Sequence, residues 1–169
     1  DRRVVLAKRP HRLFIMPPQS TEESDLDPYA LCISWQMGIL CVALKDEIHV
    51  FSIERNQKIR VIRLSDTALA GCLPEDMFQI EHIALSSSNG VIVVCGANRS
   101  AAAATSNPNS TIASFAMGGN LSSLVQLHSI ATICKCPGNG DTAVVGFFDG
   151  SVYFFESDSL NSIFTFTPH

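Results

Sequence analysis

Four short β-rich runs separated by tight turns, met three times along 169 residues, constrain this chain more than any other feature. The first set is Ala30–Trp35, Gly38–Leu44, Glu47–Ile53 and Lys58–Leu64; the second is Ile80–Ser86, Val91–Ala97, Thr111–Met117 and Leu121–Leu127. The third is Ile130–Cys136, Thr142–Phe147, Ser151–Glu156 and Ser162–Thr167. A period of about 40–50 residues with four strands in each repeat is the signature of radially arranged sheets. The links are too short for crossover helices, so each set reads as an antiparallel meander and a parallel α/β sheet is excluded.

The turns fit this reading. Asp149-Gly150 joins two apolar runs and is expected to form a type I′ hairpin, which needs φ > 0 at both positions. Lys45-Asp46 holds the same place in the first set, and Asn89-Gly90 and Asn139-Gly140 fall between first and second strands. Helical signals are few: Thr67–Met77 has room for one turn, and 99–110 ends in Asn107-Pro108-Asn109 and reads as a polar loop.

In Gly38–Leu44 and Val91–Cys95 the apolar residues run on without alternating. A strand covered on both faces has this pattern. Stacked blades supply both covers, whereas a two-sheet sandwich, the alternative fold, predicts cleaner alternation. The expectation is an all-β chain, a β-propeller fragment of about three four-stranded antiparallel blades (29–66, 78–128 and 129–169) plus part of another (1–28). In that part, Arg3–Lys8 and Arg12–Met16 read as two strands, and Pro17–Pro28 as an exposed acidic loop. The first residues, Asp1-Arg2-Arg3-Val4, carry no initiator Met and no apolar leader, as expected of a cut-out or processed segment. A propeller needs at least four blades. Closure is therefore expected from further blades of a longer chain or from another subunit.

Composition narrows the function. Apolar residues make up 46 % and charged ones 17 %, a balance that favours a packed core over disorder. No apolar run approaches the length of a membrane-spanning helix. Net charge is −4 and only the first dozen residues are basic, which argues against nucleic-acid binding and favours a solvated strand edge. Of six cysteines, five lie in apolar runs, so they read as small buried hydrophobes in a reducing, cytoplasmic compartment.

Motifs for chemistry are missing. There is no G-x-S-x-G, no Walker loop and no H-E-x-x-H. His11, His49, His82, His128 and His169 are scattered, His49 reading as a cap or a solvent-facing residue. Cys134-x-Cys136 puts two thiols on one strand face, unlike a zinc knuckle, and no second pair follows. Catalytic, metal and cofactor sites are accordingly expected to be absent. Ser86-Ser87-Ser88 beside Asn89-Gly90 reads as a hairpin turn. Trp35 and the group Phe147, Phe148, Phe154 and Phe155 are expected to fill space between blades.

The third set resembles the WD40 family. His128 stands where that family has Gly-His, Asp149-Gly150 matches its hairpin turn, and Ser151–Glu156 lies where a strand ending in Trp-Asp is expected. No Gly precedes His128, Phe155 replaces Trp and Glu156 replaces Asp. The resemblance implies structural roles for His128, Asp149 and Gly150, including a His128–Asp149 contact. The order of segments is similar to the PROPPIN family, phosphoinositide-binding propellers of autophagy. Pro10-His11-Arg12-Leu13, Ile39–Ile53 followed by Lys58-Ile59, Ala84-Leu85-Ser86, and Gln126-Leu127-His128 carry that likeness. It implies a scaffold that binds other proteins through propeller loops, at a phosphoinositide membrane. Where that family has Phe-Arg-Arg-Gly, however, this chain reads Phe164-Thr165-Phe166-Thr167-Pro168-His169. Paired guanidiniums supply much of the grip on phosphate oxygens, so no lipid-binding residue carries over.

Overall fold

The computed structural model describes residues 30–44, 47–67, 78–98, 110–138 and 140–168. These residues form three antiparallel meanders. The first blade contains β1 (Ala30–Ser34), β2 (Ile39–Ala43), β3 (Glu47–Ser52) and β4 (Gln57–Arg63). The second contains β5 (Phe78–Leu85), β6 (Ile92–Asn98), β7 (Ser110–Phe115) and β8 (Leu121–Leu127). The third contains β9 (Ala131–Lys135), β10 (Thr142–Phe147), β11 (Val152–Glu156) and β12 (Ser162–Phe166). The expected strands of 1–28, the Lys45-Asp46 turn, the helical turn over 68–77 and the 99–109 loop lie outside the described residues. A short 3-10 turn does occur earlier, at Leu64–Asp66, where the Thr67 N–H and Oγ1 both donate to the Leu64 carbonyl.

The blades lie side by side, β1 against β5 and β5 against β9, so the first strand of each blade is innermost. Two apolar layers fill the gaps. Between the first and second blades, Cys41, Ala43, Ile48, Val50 and Ile62 meet Ile83, Leu85, Ile92, Val94 and Phe115. Between the second and third, Ala84, Val93, Cys95 and Ile112 meet Cys134, Ala143, Val145, Phe147 and Phe155. The unbroken apolar runs are thereby explained. In β2, Cys41 and Ala43 face the second blade while Leu40 and Val42 belong to a separate buried cluster; in β6, Ile92 and Val94 face backwards while Val93 and Cys95 face forwards. Each such fully buried aliphatic side chain contributes about 1.5–3 kcal/mol.

The hairpin at Asp149-Gly150 differs from the expected type I′ turn. Gly150 has φ +82°, but Asp149 keeps a negative φ. The Gly150 N–H donates to the Phe147 carbonyl and the Phe147 N–H to that of Ser151, which makes a three-residue loop, Phe148 to Gly150. Asp149 accepts both the N–H (2.9 Å) and the Oγ–H (2.6 Å) of Ser151. That local bonding holds Asp149 in the ordinary backbone region and leaves the left-handed position to glycine.

Candidate interaction surfaces

Strand register shows which residues of the blades correspond. On the forward face of the first blade one row runs Cys32, Cys41, Val50, Arg60 and another Ala30, Ala43, Ile48, Ile62. The second blade repeats them as Ala84, Val93, Ser114, Ser123 and His82, Cys95, Ile112, Val125. In the third blade the same rows read Lys135, Val144, Phe154, Phe164 and Ile133, Gly146, Val152, Phe166. Blades one and two bury most of these positions against their neighbour. On the third, Ile133 is 47 % exposed, Phe164 57 % and Phe166 55 %. Phe154 and Phe164 stack edge to face, centroids 5.8 Å apart, within this open sheet face.

A second surface lies at the rim that carries the hairpin of the third blade. His128 is exposed in the bend after β8. Asp149 is bonded by Ser151 first and also by Ser129, which together hold its carboxyl below the usual carboxylate range. The Phe148 N–H donates to the Ile130 carbonyl at 2.8 Å, so hairpin and bend form one unit. Above it Phe148 projects with 82 % of its surface exposed, beside Ile130. Gly150 lies beneath Pro168, whose Cγ would stand 3.0 Å from an added Cβ.

The opposite rim holds a belt of hydroxyl and amide bonds that sequence reasoning missed. Ser34 and Ser87 join the first and second blades at 2.8 Å. Ser88 bonds Asp141, and the Asn89 side chain donates to Ser157 Oγ at 3.1 Å. Ser114 and Ser123 donate to the carbonyls of Asp158 (2.8 Å) and Ser159 (2.6 Å), which lie in the β11–β12 turn. The Ser86–Asn89 stretch is a hairpin turn, closed by Ser86 and Val91, but its side chains reach neighbouring blades as well. Partners 36 to 68 residues apart leave no local signal.

Two aromatic expectations are corrected. Phe147 and Phe155 do fill the gap between blades, but Phe148 does not, and Trp35 is 61 % exposed. Both exposed rings sit in turns, where the pleat no longer aims side chains at an adjacent sheet. His49 is also placed otherwise than expected: its Nε2 lies 2.7 Å from Glu47 Oε2, and Arg63 Nε donates to Glu47 Oε1 at 2.8 Å. Burial pushes Glu47 up, but bonds from His49 and Arg63 together outweigh it and hold the carboxyl below its ordinary range.

The cysteines are placed as apolar residues. Cys41, Cys95 and Cys134 are buried, and Cys136 packs half-buried on the same cluster as Cys134. Cys72 lies outside the described residues. The bond to Cys41 and then burial raise the Cys32 thiol; the bond to Cys95 and then burial raise Cys134; burial pushes Cys136 up to about 12. Such thiols stay protonated and are poor nucleophiles at neutral pH. Among the described residues no three His, Cys, Asp or Glu side chains stand together as metal ligands, and no helix is long and apolar enough to cross a membrane.

No protein-family model and no curated protein matches this sequence. Solved structures do. The chain is similar to the RRP9 WD40 repeats, with TM-score 0.59 and 16 % identity over 84 % of this chain and 39 % of that one. It is similar to Sqt1 of Saccharomyces cerevisiae (TM-score 0.55, 12 % identity, 82 % of this chain, 34 % of that one). It is also similar to BamB of Moraxella catarrhalis (TM-score 0.54, 12 % identity, 86 % and 37 %). The chain thus spans well under two thirds of each of these structures. Together with the three meander sheets, these likenesses show the fold: the described residues form three blades of a β-propeller like that of the RRP9 WD40 repeats.

Proposed function

We propose that this chain is a non-enzymatic interaction scaffold: a propeller segment completed by further blades, from a longer chain or another subunit, that docks protein partners through its loop rims. The observation that carries this reading is the hairpin rim of the third blade, where Phe148 and Ile130 stand exposed and are joined by the Phe148 N–H to Ile130 carbonyl bond. Phe148 on the hairpin rim supplies an aromatic anchor of the type that dominates protein interfaces. The proposed compartment is the reducing cytoplasm, with the free thiols of Cys32, Cys41, Cys95, Cys134 and Cys136 in accord.

The test is a photo-crosslinking residue in place of Phe148. A protein adduct that is lost when Ile130 becomes Asp is the expected result. A small molecule or metal retained through native mass spectrometry, with no adduct at 148, counts against the scaffold reading.

A finer form of the proposal places this scaffold at a phosphoinositide membrane in autophagy. Its support is the similarity of Ile39–Ile53 and the other segments to the PROPPIN family; against it, 162–168 offers no Arg or Lys to hold phosphate. Flotation with phosphoinositide vesicles tests this form: retention that depends on the headgroup favours it, and indifference to the headgroup removes it.

A further inference from the structure

We infer that the outer edge of the first blade, strand β4, binds an acidic, extended segment of a partner protein. This surface lies apart from the hairpin rim, and the inference goes beyond the rim-docking reading. Three observations lead to it.

The first is charge. The Lys and Arg among the described residues are Arg55, Lys58, Arg60, Arg63 and Lys135, so all but Lys135 fall in one turn and the strand that follows it. A basic stretch expected only in the first dozen residues thus recurs here, in a chain of net charge −4. Arg63 is paired with Glu47, whereas Arg55, Lys58 and Arg60 make no salt bridge to a described carboxylate. Residues 54–60 are all exposed.

The second is comparison between blades. Lys and Arg on an edge strand ordinarily serve to discourage pairing. The outer strands of the other two blades, β8 (LSSLVQL) and β12 (SIFTF), carry no charged residue, and among the described residues neither pairs with a further strand. Outer edges in this chain therefore do without protective charge, and the cations of β4 (QKIRVIR) need another reason.

The third is geometry. No described strand pairs with the free edge of β4, which offers main-chain donors and acceptors to an extended chain. Lys58 stands opposite Phe51 and Arg63 opposite Glu47, on the face away from the second blade. Arg60 stands opposite Val50, which packs towards the second blade, and its guanidinium passes beside Gly118 of the β7–β8 turn. Cations thus project from both faces of one strand. Neighbouring residues of an added strand also point to opposite faces, so the occupant needs carboxylates at consecutive positions rather than alternate ones. Ile59, 45 % exposed between Lys58 and Arg60, adds an apolar contact. An anionic lipid headgroup would match the charges and leave the main-chain edge unused; an acidic polypeptide matches both.

The experiment titrates the intact protein with a fluorescein-labelled peptide, Glu-Glu-Val-Glu-Glu-Val-Glu-Glu, by fluorescence anisotropy, and maps the contact by hydrogen exchange. Saturable binding is expected, with slower exchange over residues 57–63. Lys58→Glu combined with Arg60→Glu weakens binding at least about tenfold, and Lys58→Arg leaves it unchanged. Both side chains are exposed, so these replacements leave the blade folded, which unchanged exchange in the other two blades verifies. N-methylation of alternate peptide nitrogens keeps the charge and removes the donors along one edge, so one of the two alternating sets abolishes binding. Failure to saturate overturns the inference, as does affinity indifferent to the charge reversal or to both N-methylated sets. Phosphatidylserine vesicles that displace the peptide and themselves slow exchange over 57–63 would reassign the surface to lipid. Tighter peptide binding after Glu22, Glu23, Asp25 and Asp27 are neutralised would mean that this chain's own acidic run is the occupant, and would overturn it too. Adduct formation at position 148 is measured in the same charge-reversed protein, so the rim reading and this one can fail separately.

Discussion

Ser110 Oγ, at the start of β7, accepts the backbone N–H of Ala131 on β9 at 2.7 Å, and both residues are buried. His82 Nε2 lies 3.2 Å from the carbonyl of the same alanine. Both backbone groups at the start of the third blade's inner strand are thus held by the second blade. Ser110→Ala strands a buried N–H, which costs about 1–3 kcal/mol. Urea unfolding is expected to show a lower midpoint at an unchanged slope; an unchanged midpoint would mean that water replaces the hydroxyl.

Gly96 in β6 leaves no room for a methyl group. An added Cβ would overlap the Gln79 carbonyl oxygen and approach Phe78 Cε2 to 2.9 Å. Backbone cannot retreat as a flexible side chain does, so Gly96→Ala is expected to cost about 3 kcal/mol or more. Thermal unfolding and soluble yield measure it, and a variant as stable as the parent would contradict the close approach.

Two phenylalanines seven residues apart behave differently. Phe155 is 2 % exposed between blades and Phe148 is 82 % exposed in a turn. Phe155→Ala is expected to lose about 3–5 kcal/mol of stability, while Phe148→Ala stays within about 0.5 kcal/mol and loses only partner binding. Paired denaturation and binding measurements separate the two roles.

Acid weakens the first blade through Glu47. Its carboxyl titrates lower in the folded chain than in the unfolded one, so its stabilisation is present above the unfolded value and is lost as pH falls through the folded one. Because the Glu47–Arg63 pair is partly solvent-exposed, the contribution stays below about 1 kcal/mol. Stability of the parent minus that of Glu47→Gln, followed by urea unfolding from pH 7 down to about pH 3, should shrink with acidification. A difference that grows instead would reverse the assignment.

Much of the fold was legible because the blades are built from local signals. The runs Glu47–Ile53 and Thr142–Phe147 lie within a residue of β3 and β10. Continuous apolar stretches in β2 and β6 announced strands covered on both faces, and Cys41 and Val42 indeed turn to different clusters. The candidate surfaces were far less legible. Phe148 and Phe154 looked alike in sequence, yet one crowns a turn and the other lines an open sheet face.

What the sequence alone determined is the repeating antiparallel sheet, since alternation, turn residues and run length act within a few residues of one another. Only tertiary structure decided which rows meet another blade and which stay open. It also decided that Ser34, Ser114 and Ser123 bridge blades rather than merely shape turns. The physical reason is that a strand's period of two says which side chains share a face, whereas what covers that face depends on chain tens of residues away.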